Sequence, residues 1–76
     1  MDEQTELAHL RKAEFDIAKA RERIARQEEL IERLQAQGHD ITAAQSVLHT
    51  MRDTLGAMEE HREVILQHLA AAKRPS

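Results

Sequence analysis

Gln37-Gly38-His39-Asp40 is the one strong break in a chain of 76 residues that is otherwise patterned for helix. Gly38 can take the left-handed conformation that ends a helix, and Asp40 can accept from the exposed N–H groups that begin the next. On either side the chain is dominated by Ala, Leu, Glu, Arg and Gln, the residues of long helices. The reading is a helix over about 3–37, a turn at 38–39 and a second helix over about 40–72. Gly56 lies inside a regular apolar pattern and should cost about 1 kcal/mol relative to Ala without ending the helix. Asp2, Glu3 and Glu6 suit the positive end of the first helix, and Lys73 and Arg74 the negative end of the second. Pro75 blocks further helix, so residues 73–76 are expected to fray. No linker or low-complexity tract divides the chain, so 1–76 is read as a single helical hairpin.

Composition removes several function classes. The absence of Cys excludes a disulfide scaffold, thiolate zinc sites and Cys nucleophiles. Phe15 is the only aromatic residue, and β-branched residues are scarce, so strands are poorly supplied. No apolar run approaches the roughly 20 residues of a membrane span, and Met1-Asp2-Glu3 is acidic where a secretion signal would be basic. A formal net charge of −3 argues against general binding to nucleic acid or anionic membrane. A cytoplasmic protein is expected.

A 3-4 repeat runs through both helices. In the first it is Leu10, Ala13, Ile17, Ala20, Ile24, Gln27, Ile31, Leu34. In the second it is Ile41, Ala44, Leu48, Met51, Leu55, Met58, Arg62, Ile65, Leu69, Ala72. A two-residue turn forces the helices antiparallel, so facing residues have numbers that sum to about 78. That register sets Ile31 with Leu48, Ile24 with Leu55, Ala20 with Met58, Ala13 with Ile65 and Leu10 with Leu69. The flanks agree: Glu28 meets Arg52, Arg21 meets Glu59, Leu30 meets Val47 and Asp16 meets His61. Two seam positions are polar. Gln27 faces Met51, and Arg62 faces Ile17. Either Arg62 reaches out to Asp16 and Glu14 while Gln27 fixes register, or both line a larger interface with another chain.

Two helices joined along one seam bury only a stripe of each, and at this size apolar burial barely balances chain entropy. Leu7, Leu30, Val47 and Leu66 widen the stripe, while Phe15 and Val64 point largely away from it. A second copy, forming a four-helix bundle of two hairpins, is the expected remedy.

Glycine-rich phosphate loops, zinc-protease helices, calcium loops and nucleophile elbows are all missing, so no enzyme and no cofactor is expected. The five histidines merit separate attention. His9, Asp16, His61 and His68 share a flank, with His9 opposite His68. Two imidazoles facing across a helix pair can ligate a transition metal, with Glu6 one turn before His9 or another chain completing the set. In the plainer reading they are surface residues covering the seam. The flank should also feel pH, since Asp16 attracts a protonated His61 and protonated His9 and His68 repel each other. The basic residues of the first helix alternate with glutamates, as in Glu22–Arg26 and Glu29–Arg33, which suits a solvated face better than a nucleic-acid platform.

The stretch Arg23-Ile24-Ala25-Arg26-Gln27-Glu28-Glu29-Leu30-Ile31, the turn Gly38-His39-Asp40 and the pattern Leu48, Met51, Leu55, Met58, His61-Arg62 resemble a group of short uncharacterised alpha-proteobacterial α-hairpin proteins. The resemblance covers about residues 20–69, and the Gly-His-Asp turn is its most specific part. It implies a bacterial cytosolic setting and no particular activity.

The expected protein is therefore an all-α antiparallel two-helix coiled-coil hairpin that dimerises as a small structural or interaction module. Leu7, Leu30, Val47, Leu66 and Phe15 are its candidate interface. One rival is a regulatory hairpin that captures a helix of a different protein, with Phe15 as an anchor. Another is a metal- or pH-responsive bundle built on His9 and His68.

Overall fold

The computed structural model describes residues 2–73; of the tail expected to fray over 73–76, residues 74–76 lie outside them, while Lys73 closes the second helix by donating its N–H to the Leu69 carbonyl at 3.2 Å and the Ala70 carbonyl at 3.3 Å. Two helices, α1 (Glu3–Ala36) and α2 (Thr42–Ala72), pack against each other as a hairpin. The rod measures 62 × 15 × 13 Å. Asp2 opens α1 by accepting from the Gln4 N–H and the Thr5 hydroxyl, both at 3.2 Å.

The turn follows from Gly38, whose φ of +75° lies in the left-handed region that only glycine enters freely. With the chain reversed there, the His39 N–H donates to the Leu34 carbonyl at 2.9 Å and the Gly38 N–H to the Gln35 carbonyl at 3.1 Å. These two bonds satisfy carbonyls that the end of α1 would otherwise leave bare.

Asp40 caps the second helix from one residue further out than the sequence suggested. Its carboxylate accepts from the Thr42 N–H at 3.0 Å and the Thr42 hydroxyl at 2.7 Å. Helix geometry therefore starts at Thr42 rather than Asp40, and the first regular bond runs from the Gln45 N–H to the Ile41 carbonyl at 2.8 Å.

The seam is as the repeat requires. Every repeat position from Leu10 to Leu69 is buried or half-buried, and only Ala72 at the open end is exposed. Among the described residues, Ile17, Leu48, Ile65 and Leu69 are the only buried apolar ones. Two ion pairs between the helices agree with the register, Arg21–Glu59 at 2.9 Å and Arg52–Glu28 at 3.2 Å. Both are exposed and contribute at most about 1 kcal/mol each, so they mark alignment more than they create stability. Gly56 stays within α2, and among the described residues no helix is long and apolar enough to cross a membrane.

Two outcomes follow. Ile17 is 2% exposed and Phe15 62% exposed. Ile17→Ala should therefore cost about 2–5 kcal/mol, and Phe15→Ala less than about 0.5 kcal/mol, in thermal melts followed by circular dichroism at equal concentration. Similar losses at the two positions would contradict this seam. The hydrogen bonds from the Thr42 backbone and hydroxyl hold the Asp40 carboxyl below its ordinary value of 3.8. Its stabilisation is thus fully present above pH 3.8 and is lost as pH falls through the lower folded value. Asp40→Ala should lower the melting temperature at pH 6, and the gap from the parent protein should narrow towards pH 2.

Candidate functional site

The two flanks of the seam are built differently. On one, the long side chains of Arg21, Glu59, Glu28 and Arg52 meet across the helices and roof the apolar layers. Leu7 and Leu66 belong to the same seven-residue rows as these charges. On the other flank the equivalent position sets Arg23 beside Thr54, which cannot pair as ions. A groove of about 390 Å³ opens there, lined by Ala20 and Arg23 of α1 and by Ser46, Val47, Thr50, Met51, Thr54 and Met58 of α2.

The groove is more apolar than its composition suggests. The Thr50 hydroxyl donates to the Ser46 carbonyl at 3.3 Å and the Thr54 hydroxyl to the Thr50 carbonyl at 3.0 Å. Both hydroxyl protons are occupied within α2. Leu30 and Val47 sit on the rows of this open flank, 36% and 48% exposed. The four residues expected to meet a second hairpin therefore divide between two flanks. A neighbour seated on the open flank covers Leu30 and Val47, and leaves Leu7 and Leu66 outside. Phe15 points elsewhere again, with the Lys19 ammonium 5.5 Å from its ring centre.

Further along the open flank, His9, Lys12, Ala13, Asp16 and His61 line a hollow of about 310 Å³. Asp16 and His61 share it as expected, yet the Asp16 carboxylate is held by Lys12 at 3.2 Å rather than by His61. Lys12 lies one turn before Asp16 on the same helix and needs no inter-helix reach.

At the open end the structure places a residue that the sequence reading left off the seam. Glu6 is 5% exposed and sits four residues before Leu10, continuing the 3-4 repeat. Its Oε1 lies 3.5 Å from His9 Nδ1 and its Oε2 3.6 Å from His68 Nδ1. The two imidazoles thus meet a carboxylate between them rather than each other. The signal was the repeat itself, which reaches Glu6 if a charged residue is allowed into a seam position. Among the described residues, no group of three His or acidic side chains is placed to hold a metal ion.

The two polar seam residues behave differently. Gln27 donates from Nε2 to the Ala44 carbonyl at 2.9 Å, so it is satisfied within the chain. Arg62 takes neither Asp16 nor Glu14 as an ion-pair partner, and its Nε is buried with no acceptor. Asp16 is already engaged by Lys12, and the Arg62 stem is kept in the seam at the layer of Ile17. Comparison with protein-family profiles, curated proteins and solved structures gave no match.

A buried donor without an acceptor costs about 1–3 kcal/mol. Arg62→Leu keeps an aliphatic stem in the seam and removes that donor, so it should stabilise the protein by about that amount. Urea melts would register the gain as a higher midpoint, whereas a loss would mean that Arg62 has a partner in solution.

Proposed function

We propose that this chain is a non-enzymatic structural or protein-interaction module of the cytoplasm that self-associates, two hairpins forming a four-helix bundle. The observation that carries the reading is its surface. The chain exposes 5893 Å² at a mass of 8.7 kDa. A compact monomer of that mass exposes about 4,700 Å², from the scaling 6.3 M^0.73. The surplus of roughly 1,200 Å² exceeds the ~800 Å² that each partner commits to a standard stable interface. A second copy is the partner that every molecule of the protein has at hand, and closed two-fold pairing is the commonest solution among soluble oligomers.

The regulatory alternative, capture of a helix from a different protein, draws on the same open groove. The two readings part on mass. Size-exclusion chromatography with light scattering and refractive-index detection, which the lack of Trp and Tyr makes necessary, should give twice 8.7 kDa across a dilution series. A mass of 8.7 kDa at every concentration would refute self-association and favour the captured helix.

A further inference from the structure

The outer face of α2 beside the open groove carries no Asp, Glu, Lys or Arg from residue 43 to residue 71, in a chain that is 33% charged. Its first row is Val47, Thr54, His61 and His68; the row beyond it is Ala43, Thr50, Ala57, Val64 and Ala71. All of these residues are exposed, with Val47 at 48% and Val64 at 44%. The matching outer row of α1 is Lys12, Lys19, Arg26 and Arg33, fully basic. One helix of the hairpin is therefore dressed for water on this side and the other is not.

We infer that the self-association proposed above runs through this uncharged face, α2 packing antiparallel against α2 of a second copy with the two-fold axis beside Ala57. The inference rests on that self-association. A second copy fits for three reasons. The face continues directly into the groove formed by Val47, Met51, Thr54 and Met58, so one neighbour covers both. An antiparallel pairing about Ala57 matches the face to itself: Ala43 meets Ala71 of the other copy, Thr50 meets Val64 and Thr54 meets His61. The surface surplus is also of the size that one such contact removes. The alternative face-to-face contact through α1 would bring two rows of Lys and Arg together, and although Lys12 and Arg26 have carboxylates of their own helix beside them, burying the row would take these charged side chains out of water. In this arrangement the α1 helices splay apart and keep their cations in water, while the roofed flank with Leu7 and Leu66 faces outwards.

The absence of native Cys makes a cross-linking test clean. A disulfide forms only where Cα atoms come within about 7 Å, which Ala57 satisfies at a two-fold axis and the other faces do not. Under mild oxidation Ala57→Cys should yield a covalent dimer, while Leu66→Cys and Phe15→Cys should not. Ala57→Glu, exposed in the single hairpin, should halve the mass at a concentration where the parent is dimeric. A dimeric parent that cross-links through Leu66→Cys instead, or stays dimeric with Ala57→Glu, overturns this face and leaves self-association standing. A monomeric parent removes both.

Discussion

The structure depends on a single apolar seam between two antiparallel helices, and on the fact that such a seam has almost no interior. Among the described residues, Ile17, Leu48, Ile65 and Leu69 are its only buried apolar ones. All other repeat positions between Leu10 and Leu69 are shielded only in part, because two cylinders touch along a line and water reaches both sides of it. Much of the remaining architecture is a response to this constraint. Charged side chains roof one flank, Glu6 plugs the open end between two imidazoles, and Arg62 lays its stem in the seam at the expense of an unsatisfied Nε.

The asymmetry between the flanks follows from small differences in residue choice at equivalent positions. Arg21 faces Glu59 and Glu28 faces Arg52, and each pair is long enough to bridge the helices. On the opposite side Arg23 faces Thr54, and Ala20 leaves room beside Met51 and Met58. Methionine suits such a position because its unbranched thioether adapts to whatever surface covers it. The uncharged outer face of α2 adjoins this groove, so the flank with no ion pair roofing the seam and the face free of Asp, Glu, Lys and Arg coincide. That coincidence is the physical basis for the proposed second copy.

Most of the hairpin was legible in the sequence because its determinants are local. Gly38 and Asp40 define the reversal, and a short turn makes the register a matter of arithmetic, which Arg21–Glu59 and Glu28–Arg52 satisfy. The helix start at Thr42 differed because an Asp carboxylate can cap from two residues upstream, which composition alone does not distinguish. The errors arose where side chains choose among partners. Asp16 was within reach of both Lys12 and His61, and the same-helix neighbour prevailed; Arg62 pairs with neither of the carboxylates expected for it. The sequence sets Glu6 beside His9 as a possible partner but not in the seam, because a carboxylate is a poor seam residue unless something lies against it, and His9 and His68 do so only once the fold is built. The division of Leu7, Leu30, Val47 and Leu66 between two flanks required each residue to be placed on its row.

If a lone hairpin is as short of buried surface as its shape implies, folding and association are one event, and stability depends on protein concentration. Thermal melts by circular dichroism over a hundredfold range of concentration test this most directly. The account predicts a melting temperature that climbs steadily with concentration. A melting temperature that does not move, with a full cooperative transition at the lowest concentration, would show that one seam suffices and would contradict it.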